Sequence, residues 1–345
     1  MTAAAEAGGA ATRPRIALVV TLVSLIGLMI FGMLMGAVSI GVGDLFHMIG
    51  LRLGLIEGPE TLIDSVLWAI RLPRVLAGAL VGAGLGVSGA SLQGAFRNHM
   101  ADPHLIGLAP AAGLGAVAGI ALTPVGGSPT IMMVAAAVSG ATVALAMRRI
   151  AQRVVETTQF MLVGLALGLG MLAWLGAIVL AWDSPRVPTF TFFVFGGLSG
   201  ATWAALGAAA PLILVAGAIL VRMARPFDLL ALGETEARHL GIDVDRFIRY
   251  VLIASGVAIG GAVGLGGAIG FVGLVAPLVL RRWIGPGHRW LLGLSAIGGA
   301  MMVVATDTLA RTVAAPVEIP VGLLTAIVGA PVFVWFLVRA GRSTP

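Results

Sequence analysis

The chain has 345 residues, a 59% hydrophobic composition, a mean hydropathy of +1.06 and a formal charge of +6. A soluble domain sits near about 45–50% apolar, so two or three soluble domains are excluded, and a single membrane-spanning helical domain over residues 1–345 is expected. Cysteine is absent, which rules out disulfides and thiolate chemistry, and all 21 basic residues are Arg, which rules out the Lys-bearing phosphate loop of an ATPase.

In chain order, Arg13 and Arg15 lead into the first apolar run. It is longer than the roughly 7–15-residue core of a signal peptide, and no A-x-A site follows it. The expectation is a first membrane helix. Nine further runs follow, giving spans near 16–38, 74–96, 104–122, 130–147, 159–182, 201–221, 248–268, 271–283, 290–307 and 320–338. Each is read as a helix crossing, or nearly crossing, about 30 Å of hydrocarbon. The eighth is short and contains Pro277. An apolar piece at 189–200 is too short to span and reads as a half-helix folded back.

Within the second span Gly78, Gly82 and Gly86 fall four apart, as do Gly256, Gly260 and Gly264 in the seventh. Such faces let helix backbones approach closely inside a membrane. The stretch RLPRVLAGALVGAGLGVSG (71–89) resembles RFIRYVLIASGVAIGGAVGLGG (246–267), and IGLAP (106–110) echoes VGLVAP (272–277). These matches form a weak inverted repeat, a pattern common in transporters. With the N-terminus inside, ten spans put sixteen Arg on inner segments and five (Arg52, Arg71, Arg74, Arg186, Arg311) on outer ones. That bias predicts cytoplasmic termini. Scattered between apolar runs, the Arg residues fit a membrane better than a nucleic acid.

Asp102 or Pro103 is expected to start the third span. The five histidines are dispersed, and no acid or thiolate cluster accompanies His99 and His104, so no metal site is predicted. VVETTQF (154–160) opens the fifth span, where Thr157 and Thr158 can cap the helix. Asp307 stands four residues before Arg311, a modest helical pair. No acid is read as buried in mid-span, which argues against a proton-driven carrier. Arg71, Arg74 and Arg311 flank the outer membrane edge, able either to snorkel or to grip carboxylates.

LLALGETEARHL (229–240) lies in the longest inner loop. Leu229, Leu232, Ala237 and Leu240 could form an apolar stripe, leaving Glu234, Glu236, Arg238 and His239 outward, with Gly241 as a helix stop. So short a helix must be held by packing on its own bundle or on a partner, unless it is simply a solvated loop helix.

LLALGETEARHLGIDVDRFIRY resembles the cytoplasmic coupling segment of the FecCD-type permeases of ATP-driven importers. RLPRVLAGALVGAGLGVSGASLQGAFRNHMADPHLIG, GAIGFVGLVAPLVLRR and EIPVGLLTAIVGAPVFVWFL resemble further signatures of that family, in order along almost the whole chain. His99-Met100 departs from the family's usual Pro-Leu. The resemblance implies a type II ABC importer-like fold of ten helices per subunit. It further implies a homodimer, two cytoplasmic ATP-binding-cassette ATPase subunits and a periplasmic substrate-binding protein in the bacterial inner membrane. The chain itself is then a non-catalytic subunit without cofactor.

On this resemblance, 223–247 is the ATPase-coupling segment, with Leu230, Leu232, Gly233, Glu234, Ala237, Arg238 and Leu240 as its contacts. Arg71, Arg74 and Arg311 match positions that dock the binding protein, and Thr157 and Thr158 match the cytoplasmic gate. The cargo expected is an iron chelate, haem first, with ferric siderophore and cobalamin as alternatives. An ion-coupled secondary transporter is the competing class.

Overall fold

A computed structural model describes residues 2–36, 40–123, 128–152, 157–181, 192–315 and 317–341. Among these residues the chain is helical and connected by turns, with no strand. This is the expected solution where the backbone must satisfy its own hydrogen bonds in hydrocarbon. The helices are α1 (Thr2–Leu34), α2 (Val42–Arg52), α3 (Leu62–Val66), α4 (Leu72–Ala95), α5 (Leu108–Ala121), α6 (Pro129–Ala151), α7 (Thr157–Ala181), α8 (Trp203–Arg222), α9 (Ala224–Leu230), α10 (Glu234–His239), α11 (Val244–Gly266), α12 (Val272–Ile284), α13 (His288–Ala310) and α14 (Val321–Gly341). Seven helices among the described residues are long and apolar enough to cross a membrane, while α5 and the Val321–Trp335 part of α14 are shorter apolar helices. Each of the ten expected spans coincides with a helix. The amphipathic α2, between the first two spans, was not anticipated.

The centre is an antiparallel pair, α4 and α11, both mostly buried. Val81 lies against Gly266, while Gly84 faces Ala258 and Ala262. Each member packs most extensively on a helix from the other half of the chain. Gly82 and Gly86 of α4 meet the backbone of Gly299 and Ser295 on α13, whereas Gly256 and Gly260 of α11 meet Ala141 and Ala137 on α6. A Cβ on Gly256 would fall 2.7 Å from Ala141 Cα, so the glycine stripes are close-packing faces.

Exchanging the halves preserves this pattern, including its end locks. Arg74, in the first turn of α4, pairs with Asp307 near the end of α13. Asp245, in the first turn of α11, pairs with Arg148 near the end of α6. The two locks carry opposite polarity.

The third helix of the bundle and its counterpart are short in the same way. α5 and α12 have 14 and 13 residues, which is about 20 Å of helix each and too little to cross hydrocarbon alone. Each starts from a left-handed residue, Gly107 (φ 80°) and Phe271 (φ 65°). Short, interrupted helices in corresponding positions of two halves are characteristic of transporter repeats. Asp102 and Pro103 therefore do not start the span. They start a separate turn, in which Ile106 N–H donates to Asp102 O and Gly107 N–H to His104 O. The folded-back piece is present as a helical turn at 192–195, pinned to the end of α11 by Gly197 N–H on Gly266 O and Ala268 N–H on Phe193 O; residues 189–191 lie outside the described ones.

α3 runs into α4 through a π-turn, Leu67–Arg71. The cause is local. The Leu72 N–H donates five residues back to Leu67 O, and Pro73, next in that register, has no N–H to give the Trp68 carbonyl. The indole Nε1 of Trp203 on α8 donates to it instead, at 3.0 Å.

Candidate coupling segment and docking face

α9 and α10 form the loop segment between the sixth and seventh spans. Phe227 of α9 is fully buried, edge-on to Phe247 of α11 (centroids 4.9 Å apart) and stacked on His288 of α13 (5.2 Å). Gly94 of α4 leaves room for that stack, since a Cβ there would come within 2.8 Å of both rings. The carboxylate of Asp228 accepts from the backbone N–H of His288 at 2.8 Å and sits 2.9 Å from its Nδ1. An acid at the start of α13 also suits the helix dipole.

Gly233 then turns the chain with φ 132°, a conformation open to glycine but strained for other residues. α10 is acidic in its first turn and basic in its last, as the dipole favours. It ends in a Schellman motif, in which Ile242 N–H donates to Ala237 O and Gly241 N–H to Arg238 O, both at 3.0 Å. Gly241 takes φ 85°, so it is the helix stop the sequence suggested.

The expected single apolar stripe is corrected. Leu230 and Ala237 have no exposed surface and anchor the segment to its own bundle. Leu232 and Leu240 are 65% and 57% exposed and point away from it. Of the four stripe residues only Ala237 faces the bundle; Leu229 is half-buried in α9, Leu232 lies in the turn before Gly233 and Leu240 follows α10, so the break between α9 and α10 leaves no continuous apolar face. Glu234 and Arg238 are exposed. Arg238 donates to Asp245 at 2.8 Å, Arg148 of α6 reaches the same carboxylate, and Arg97 stands 3.6 Å from Glu234. The Asp245 carboxylate raises the Arg238 guanidinium further above its usual range.

The segment is thus tied to α4, α11 and α13, and through Asp245 of α11 indirectly to α6. A cavity of about 330 Å³ lies beneath it, lined by Arg97, Asn98, Arg148, Met161, Glu234 and Asp245. Thr157 and Thr158 open α7 one turn before Met161, and their side chains lie outside the described residues. Nearby, His99 stands 3.2 Å from Arg281, and burial together with that cation lowers its pKa.

At the opposite end Arg71, Arg74 and Arg311 converge and are buried rather than spread over the surface. They are only 5%, 8% and 6% exposed. Arg71 donates to the carbonyls of Met33 (2.6 Å) and Leu34 (2.8 Å), and Arg311 to that of Gly32. These carbonyls end α1, where a helix cannot satisfy them itself. Arg74 Nε reaches both oxygens of Asp307 at 3.0 and 3.1 Å, and Arg74 Nη1 reaches Glu318 at 2.8 Å. Arg311 Nε is 3.5 Å from Asp307, the i,i+4 pair anticipated, although Arg74 is the closer partner.

Two acids are buried at helix ends, and neither lies in mid-span. Asp307 is held by two guanidinium groups, and Asp64 by Thr61 and His47 (2.7 and 3.2 Å). Both sit near helix ends and are already paired, unlike a mid-membrane relay. Among the described residues no cluster of three or more His or acidic groups could hold a metal ion.

The sequence profile described as the FecCD transport family matches residues 22–339. The chain is 41% identical over 286 residues to the cobalamin import system permease protein BtuC of Halobacterium salinarum, covering 81% of this chain and 74% of that one. It is 35% identical over 336 residues to the hemin transport system permease protein HmuU of Yersinia pestis, covering 95% and 96%. A metal-chelate type ABC transporter solved in an inward-facing conformation superposes with a TM-score of 0.79 at 26% identity, over 94% of this chain and 99% of that one.

Proposed function

The chain belongs to the FecCD transport family, and from that premise we propose that it is the permease subunit of an ATP-driven importer moving haem from periplasm to cytoplasm. The observation that carries the importer mechanism is the α9–α10 segment. It is braced on α4, α11 and α13 yet offers Leu232, Leu240, Glu234 and Arg238 outward. Pushed by a partner, such a segment moves the bundle as a body, because its links are buried packing and paired charges rather than a flexible tether. The partner is a cytoplasmic ATPase, two copies per permease dimer, since this chain has no phosphate loop. The bacterial inner membrane, with both termini cytoplasmic, agrees with the Arg distribution.

The end bearing Arg71, Arg74 and Arg311 is the docking face for a periplasmic binding protein. Three guanidinium groups against the carboxylates of Asp307 and Glu318 leave that cluster one charge positive, a local patch suited to acidic lobes. Thr157 and Thr158 narrow the path at its cytoplasmic end; replacing both with Gly should increase leak of entrapped cargo from proteoliposomes.

Haem as cargo rests on the hemin permease relative, which aligns from end to end. A corrinoid is the second reading, favoured by the higher identity to the cobalamin permease over a shorter stretch. Reconstitution with the ATPase and binding protein tests both. The expected result is hemin uptake that needs ATP. Cobalamin uptake without hemin uptake selects the second reading, whereas proton-driven uptake by the purified chain alone overturns the importer.

A further inference from the structure

A groove of about 740 Å³ runs between α8 and α11, walled by Val215, Ile219 and Met223 on one side and Tyr250, Ile253 and Val257 on the other. Val215 and Ile219 are 61% and 44% exposed on a membrane-spanning helix, so the groove opens toward hydrocarbon. Its volume is that of an ordinary ligand site.

At the end nearer α10 the chemistry changes. Arg222 lies one turn beyond Ile219, Arg249 one turn before Ile253, and Arg246 one turn before Tyr250. All three are exposed. Arg246 donates Nε to the Tyr250 hydroxyl at 3.1 Å, with its guanidinium 5.7 Å from the ring centroid. The hydrogen bonds of the acids at this end go elsewhere: Asp243 caps the backbone N–H of Arg246 and Asp245 holds Arg238 and Arg148, so they reach the side chains of Arg246 and Arg249 only through space.

We propose that this groove binds an anionic glycerophospholipid, with one acyl chain between α8 and α11 and the phosphodiester on Arg222, Arg246 and Arg249. Basic pockets between membrane helices at the headgroup level select such lipids. Tyr prefers that same depth, and guanidinium forks match phosphate oxygens. A helix from a second copy would fill the apolar half but bring no phosphate to the three guanidinium groups. One anionic lipid satisfies both halves at once.

Native mass spectrometry of the full chain in detergent, titrated with phosphatidylglycerol or phosphatidylcholine of equal acyl length, tests this. The expected result is one retained phosphatidylglycerol, preferred by at least about tenfold. Arg222→Gln/Arg246→Gln/Arg249→Gln should abolish the preference, and Lys at the same three positions should keep part of it. Val215→Trp/Ile219→Trp, which fills the groove but leaves the cations, should lose retention. Equal retention of the two lipids, an undiminished preference in the Gln or the Trp variant, or disulfide capture of Val215→Cys by a second copy would overturn the assignment.

Discussion

Single residues here act through what they satisfy. Arg74 is the clearest case, because its guanidinium is buried with two carboxylates on it. Removing one member of such a group leaves an uncompensated charge, at a cost of about 3–5 kcal/mol. Arg74→Ala and Asp307→Ala should therefore each lower thermal stability in nanodiscs, and the double variant should be less harmful than the sum of the two. Additive losses would show that the two residues act independently. Because Arg74 is structural in this way, reversing it would unsettle the docking face as well as its charge. Glu318→Gln, which removes a half-exposed carboxylate, is the cleaner probe; it should tighten binding-protein association, most at low ionic strength, as read by light scattering or interferometry.

At the scale of elements, two kinds of glycine separate. Gly86 lies against the Ser295 carbonyl of α13, while Gly207 on α8 has open space around its Cα. Gly86→Ala should cost at least about 1–3 kcal/mol through forced overpacking, whereas Gly207→Ala should leave the melting temperature unchanged. Equal effects would contradict the close-packing role of the α4 stripe. The α9–α10 segment makes a second element-level prediction. Leu232→Ser/Leu240→Ser should weaken ATPase association without lowering stability, since both side chains point away from the bundle. Ala237→Leu should instead destabilise, since Ala237 is wholly enclosed. Retained ATPase binding in the serine variant would remove the proposed coupling contact.

For the whole molecule, the reciprocal packing of α4 on α13 and α11 on α6 makes one interlocked body from two inverted halves. α7 is the least buried of the seven long spans, with Leu162, Leu165, Leu169 and Leu172 along one face. A second copy in the proposed permease dimer would cover this face. The chain has no native cysteine, so Leu169→Cys should yield a disulfide-linked dimer under oxidation. A wholly monomeric product would move the interface elsewhere.

The sequence alone determined the ten helical segments, the glycine stripes, the repeat and the family, because hydrocarbon demands long apolar runs and close packing demands small residues at helical spacing. Both demands are local and periodic. The tertiary structure alone decided which charges are free. Arg71, Arg74 and Arg311 look like surface anchors until Asp307 reaches Arg74 across 233 residues and the last carbonyls of α1 reach Arg71 and Arg311 across 37 to 279. Likewise Leu230 and Leu232 are near neighbours in sequence, and the end of α9 at Leu230 leaves one enclosed and the other exposed in the turn that follows. Partners distant in the chain carry no periodic signature, so no reading of a single strand of letters could have paired them.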